Sequence, residues 1–162
     1  MSETLTLPKT ADRFALYSSL YPQMKQLLED ERDPIAAMAN MGAAIKEAFG
    51  WHWVGFYRVM GAELVLGPFQ GPVACMRIGH GKGVCGTAWA EERTLIVPDV
   101  DKFPGHIACS ALSKSEIVVP LRGRDNRVHA VLDIDSAQLD DFTEVDAQAL
   151  ARLLGLLEPL FD

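Results

Sequence analysis

Three cysteines and three carboxylates are the residues in this chain best suited to chemistry. Cys85 follows Gly83-Val84, where a short helix should begin. A helix N-terminus favours a thiolate, so this position predicts a lowered thiol pKa. Cys109 lies in a long irregular stretch beside His106 and Ser110. Cys75 falls in the apolar run Val73 to Ile78, which reads as a short strand with Val73, Cys75 and Arg77 on one face. Two readings stay open for the thiols: three unrelated packed side chains, or a reactive pair formed by Cys109 folding back over the strand and helix. Zinc is a weaker reading. Cys75, Cys85, His106 and Cys109 offer suitable atoms, but no Cys-x-x-Cys or His-x-x-x-His spacing joins them.

The carboxylates sit in Val128 to Asp135. Strand alternation puts Asp133 and Asp135 on one face with Val131. Two like charges in an apolar strand repel, and partial burial would raise at least one pKa, leaving a carboxyl able to donate a proton. The bland alternative is a strand end emerging into water. Glu116 opens the neighbouring strand and could join them. Trp53 and Tyr57, four apart, share a strand face and could line an apolar pocket or simply belong to the core. Gly79-His80-Gly81-Lys82-Gly83 lacks the Gly-Lys-Ser/Thr ending of a phosphate loop, though its amides could hold a small anion. His80, His106 and His129 belong to no readable Ser-His-Asp set.

The elements that must position these groups follow from periodicity. Phe14, Tyr17, Leu20, Tyr21, Met24, Leu27 and Leu28 are spaced as a helix, with Pro22 expected to kink or interrupt it. Asp33-Pro34 reads as an N-cap and first helical residue. Ile35, Met38, Met41, Ile45 and Phe49 form a second stripe that ends at Gly50. Strands are expected at Trp53–Met60, Glu63–Phe69, Val73–Ile78, Thr94–Val97, Ile117–Leu121 and Val128–Ile134, with a helix at Val84–Glu91. Val100–Ser115 is a long loop carrying Cys109, and such loops are often functional. Phe142, Val145, Ala149, Leu153 and Leu157 give a closing helix. Helices, then short strands, then a helix predict one α+β domain over residues 1–162 with a mostly antiparallel sheet. A helical pair fills about 10–50, the sheet and its loops about 51–135, and the last helix about 141–160.

At 162 residues the chain can bury a sizeable core. Its net charge of −7 and pI near 5.0 argue against nucleic acid or an anionic membrane as partner. No apolar run reaches the roughly 18 residues of a membrane span. The N-terminus shows no secretory pattern, so the expectation is a cytoplasmic protein with reduced thiols.

Motifs along nearly the whole chain resemble the free methionine-(R)-sulfoxide reductases. They are Trp53-Val54-Gly55-Phe56-Tyr57, Leu66-Gly67-Pro68-Phe69-Gln70-Gly71, Gly83-Val84-Cys85-Gly86-Thr87, Val97-Pro98-Asp99-Val100, Phe103 to Cys109, Ser115 to Leu121 and Leu132 to Ser136. The resemblance implies a GAF fold, an α+β sandwich around a six-stranded antiparallel sheet. It implies Cys109 as nucleophile, Cys75 as principal resolving cysteine and Cys85 as a secondary one. Trp53 and Tyr57 would hold the substrate methyl. Glu116, Asp133 and Asp135 would surround the sulfoxide oxygen and amino end, and the glycine-rich stretch would meet the carboxylate. Free methionine sulfoxide would be the substrate and thioredoxin the reductant, with no metal or organic cofactor and with a homodimer as the assembly. Ser110 departs from the family, which carries an acidic residue there. The rival readings are a ligand-binding GAF sensor without turnover and a redox switch.

Overall fold

The computed structural model describes residues 3–162. Helix α1 (Arg13–Leu27) starts at Asp12, whose carboxylate accepts from the Phe14 amide. Pro22 sits inside α1 without ending it. Both Pro22 and Ser18, whose carbonyl loses its helical partner, are exposed, so that carbonyl is open to solvent. Helix α2 (Pro34–Phe49) follows the sequence reading closely. Asp33 Oδ1 accepts from Ile35 and Ala36 amides at 2.7 and 3.0 Å, and Gly50 closes the helix at φ 69°. The buried stripes differ in detail from the expected ones. Phe14, Ile35 and Val145 are exposed, while Leu16, Ala37 and Leu150 are buried.

The strands are β1 (Trp53–Met60), β2 (Glu63–Gln70), β3 (Arg77–Gly79), β4 (Leu95–Val97), β5 (Ser115–Arg122) and β6 (Val128–Ser136). They form one six-stranded sheet in the order β3-β2-β1-β6-β5-β4, antiparallel at every pairing. Helix α3 (Gly83–Glu91) and a 3-10 turn (Val100–Lys102) lie between β3 and β5; α4 (Glu144–Leu154) ends short of the expected 160, and a 3-10 turn at Glu158–Leu160, with Pro159 inside it, follows. The expected strand Val73–Ile78 is corrected. Only Arg77–Gly79 forms a strand with β2; residues 73–76 are irregular, with Val73 and Met76 exposed, although the Met76 carbonyl still accepts from the Leu66 amide at 3.0 Å. Gly71-Pro72 explains this, because proline brings no amide to a ladder and breaks the strand before it starts.

Alternation divides the central strands between two layers. Val54 and Phe56 of β1, Ile117, Val119 and Leu121 of β5, and Ala130, Leu132 and Ile134 of β6 face α1, α2 and α4 in the main core. Each large side chain buried there stabilises the fold by about 1.5–3 kcal/mol. The opposite face carries Trp53, Tyr57, Val118 and Val131, covered by Val84, Cys85 and Ala88 of α3. One polar knot ties the helical layer together. Asp146, fully buried, accepts from Arg13 Nη1 at 2.7 Å, the Tyr17 hydroxyl at 2.8 Å and the Thr143 amide at 2.9 Å. Arg13 also pairs with Asp141. Among the described residues no helix is long and apolar enough to cross a membrane.

Candidate active site

The second face of the sheet holds the candidate site. Strand register sets Trp53 opposite Asp135 and Gly55 opposite Asp133, while Glu116 faces Asp135 and Val118 faces Asp133 across the β5–β6 pair. The three carboxylates therefore gather on adjacent strands beside Trp53. A cavity of about 40 Å³ opens over them, with Cys85, Cys109 and Tyr57 in its lining.

The aromatic wall depends on a residue that sequence reasoning did not single out. Trp53 lies over the bare backbone of Gly55, stacked with Tyr57 at 5.9 Å and Phe69 at 5.3 Å. A Cβ on Gly55 would come within 2.4 Å of Phe69 Cβ and 2.5 Å of Trp53 Cη2. Both wall residues also hold the segment bearing Cys75. The Trp53 indole donates to the Pro72 carbonyl at 3.0 Å, and the Tyr57 hydroxyl donates to the Cys75 carbonyl at 2.9 Å. Alternation was the signal for the shared face; the carbonyl contacts left none.

Cys75 and Cys109 form a disulfide with a Cα–Cα distance of 5.8 Å, within the ordinary range. Cys75 is half-buried and Cys109 exposed, so an external thiol can approach the bond. The loop carrying Cys109 is held to the sheet at its flanks. His52 Nε2 and Ser110 Oγ lie 3.1 Å apart, and Ser110 Oγ also accepts from the Leu112 amide at 3.2 Å. Ser113 is buried in the cavity lining, and its hydroxyl offsets part of the rise in the Asp135 pKa. His106 lines the cavity with Nε2 3.7 Å from Glu116 Oε2. Neither His52 nor Ser113 was foreseen, because their partners lie far along the chain and nothing local links them.

Cys85 sits in the first turn of α3, as expected, yet its thiol pKa moves the other way. Burial pushes it well up, and the neighbouring Asp133 and Glu116 charges push it further. The helix N-terminus is outweighed because Cys85 is buried beside acidic groups. The same burial raises Glu116 and Asp135 well above the usual carboxylate range, with the Asp133 charge adding to both. Asp133 rises to about 6, also through burial. Burial therefore disfavours charge on all three carboxyls, and their mutual repulsion favours a proton within the cluster. Burial lowers the His106 pKa, which disfavours a charged imidazolium at its contact with Glu116.

The glycine-rich turn uses part of its own backbone. Gly81 and Lys82 amides donate to Gly86 and Gly79 carbonyls at 2.9 and 3.1 Å. The amides that remain to meet an anion belong to the first turn of α3, Gly83 to Cys85, and all three residues line the cavity. Of the other histidines, His80 packs edge-on against Trp89 and His129 pairs with Asp125. The zinc quartet weighed from sequence does not exist as such, since Cys75 and Cys109 bond to each other.

Compared with known proteins, residues 31–161 match the GAF domain family. The chain is 55% identical over 159 residues to GAF domain-containing protein A of Dictyostelium discoideum, covering 98% of this chain and 99% of that one. It is 45% identical over 143 residues to the free methionine-R-sulfoxide reductase of Escherichia coli (strain K12), covering 88% and 86%. Its fold matches the X-ray structure of free methionine-R-sulfoxide reductase from Neisseria meningitidis in complex with its substrate. That match has a TM-score of 0.95 at 52% identity and covers 99% and 96% of the two chains.

Proposed function

Since the chain belongs to the free methionine-R-sulfoxide reductases, a family built on the GAF domain, we propose that it reduces free L-methionine-(R)-sulfoxide through a cysteine sulfenic acid and an intramolecular disulfide. The observation that carries this reading is the Cys75–Cys109 bond beside a cavity floored by three buried carboxyls and walled by Trp53.

The cycle balances as follows. The Cys109 thiolate attacks the sulfoxide sulfur, and the oxygen takes a proton from a neighbouring carboxyl. Glu116 and Asp135 suit this role, because burial and the Asp133 charge raise their pKa values and so favour the protonated form. Methionine leaves and the oxygen ends on Cys109 as a sulfenic acid, so the sulfoxide is reduced and the cysteine oxidised by two electrons. The Cys75 thiol then displaces that oxygen as water and forms the disulfide. A protein dithiol, thioredoxin in this proposal, restores both thiols by exchange at the exposed bond. Cys85 serves as a reserve resolving cysteine.

Substrate recognition follows from the same geometry. Asp133 is charged at neutral pH, and its Oδ1 is buried without a hydrogen-bond partner, which suits an incoming ammonium. The first-turn amides of α3 suit the carboxylate, and the Trp53 face suits the methyl. A site that holds both charged ends of a free amino acid rejects the same group inside a polypeptide.

Thioredoxin-coupled NADPH oxidation tests this. Turnover is expected with the free R epimer and not with the S epimer or an N-acetylated R substrate. Cys109→Ser abolishes even a single turnover. Cys75→Ser leaves one turnover per site but impairs recycling. Full activity in Cys109→Ser overturns the choice of nucleophile.

A further inference from the structure

The Cys75–Cys109 bond is reached from outside across a surface that the cycle above leaves unassigned. Val73 is 89% exposed, Met76 72%, Leu112 62% and Ile107 37%. These are four of the nine large apolar side chains exposed among the described residues, and they come from two short segments. Val73 and Met76 lie within two residues of Cys75, and Ile107 and Leu112 within three of Cys109. Three residues span at most about 11 Å of chain. The disulfide joins the two segments with its Cα atoms 5.8 Å apart, so the four side chains gather about it. Val73, Ile107 and Cys109 line the same cavity. An apolar patch of this kind, open to water, marks a surface that another molecule covers.

A second observation concerns the backbone. Residues 73–76 stand outside the regular strands, and among the described residues nothing hydrogen-bonds to the amides or carbonyls of Val73 and Ala74. A segment of another chain can pair with such a free edge.

Thiol chemistry names the occupant. Exchange requires the attacking sulfur to reach a disulfide sulfur directly. Cys109 is exposed and Cys75 half-buried, so the Cys109 sulfur is the one open to attack. A protein that brings a thiolate there must lay its own surface over the apolar side chains beside the bond, whereas a small thiol covers none of them. Encounters between redox proteins are short-lived and bury less than about 1,200 Å² in total, a class that four exposed side chains suit.

We propose that Val73, Met76, Ile107 and Leu112 form the docking surface for a protein dithiol that reduces the Cys75–Cys109 bond, a role that rests on the reductase reading above. The partner's thiolate attacks Cys109 Sγ, and the Cys75 sulfur leaves with the bonding pair and takes a proton. The partner's second thiol then releases Cys109 and closes a disulfide of its own. The chain gains two electrons and the partner loses two.

Reduction of the preformed disulfide, with no sulfoxide present, isolates this step. Thioredoxin and dithiothreitol are compared on the wild type and on the double variant Met76→Ser, Leu112→Ser. Both residues are exposed and neither lines the cavity, and melting curves of the oxidised forms confirm the fold. The thioredoxin rate constant should fall about tenfold or more, while the dithiothreitol rate constant stays within about twofold of wild type. Equal thioredoxin rates in the two proteins overturn the proposal. A parallel fall with both reductants also overturns it, because the effect then lies in the bond itself. So does a dimer that dissociates in the variant with no change in the thioredoxin rate, which assigns the patch to a second copy of this chain. The reductase reading fails separately, by absence of turnover with the free R epimer under dithiothreitol, whatever thioredoxin does to the bond.

Discussion

Replacing Asp133 by asparagine should make the protein more stable and less active, and the gain should depend on pH. Asp133 titrates at about 6 in the folded chain against an ordinary 3.8, because burial disfavours its charge. Between those values the folded chain binds more protons than the unfolded one. Stability therefore falls as pH rises through this window, by ~3 kcal/mol once pH passes 6. The unpartnered Oδ1 is the structural face of that penalty. An asparagine side chain carries no charge, so at pH 8 the variant should be more stable by up to about 3 kcal/mol. For a chain of this length that raises Tm by about 6–12 °C. At pH 4 both forms are neutral when folded, and the gain should drop below about 1 kcal/mol. Melting curves of the oxidised wild type and variant from pH 4 to 8.5 measure this directly. Meanwhile kcat/KM should fall about tenfold or more, the worth of one charged hydrogen bond to the substrate ammonium. A variant that melts below wild type at pH 8, or that keeps the same gain at pH 4, refutes the view that the Asp133 charge is held against the preference of the fold.

Gly55→Ala should push Trp53 off the backbone, because the new Cβ meets Phe69 and Trp53 atoms at 2.4 and 2.5 Å. The expected result is about 1–3 kcal/mol of lost stability in urea unfolding, with a KM for the sulfoxide that rises more than kcat falls. Asp146→Ala should cost about 3–5 kcal/mol, since it leaves Arg13 and Tyr17 without their shared acceptor. Its KM at 25 °C should stay at the wild-type value, because that knot lies on the opposite face of the sheet from the cavity.

The carboxylate cluster was legible in the sequence because it needs only two local rules. Alternation puts Asp133 and Asp135 on one face, and a hairpin brings Glu116 beside them; both hold, with Glu116 opposite Asp135. The caps Asp33 and Gly50 were equally local. What failed was of two kinds. Val73-Ala74-Cys75-Met76 looks like a strand by composition, but Gly71-Pro72 removes the backbone pairing that would make it one. The Cys85 pKa was misjudged because its direction depends on Glu116 and Asp133, which come from later strands, and no neighbour in the chain announces them. The role of Gly55 is hidden for the same reason: its missing side chain matters only once Trp53 and Phe69 meet above it.

The Cys75–Cys109 bond spans 34 residues, and that interval contains β3, α3 and β4. Oxidised, the chain is a closed ring with two tails; reduced, it is a simple line. Closing a ring of this length removes about 4 kcal/mol of freedom from the unfolded chain in the loop-entropy account. On the proposed cycle each molecule of substrate ties the ring and each molecule of reductant unties it. The form awaiting substrate is thus the linear one, in which α3 and the loop over the cavity are held by packing and hydrogen bonds alone. The form awaiting reductant is the stapled one. The catalyst alternates between two chain topologies that share one fold, and it is most tightly constrained when it has no substrate left to admit.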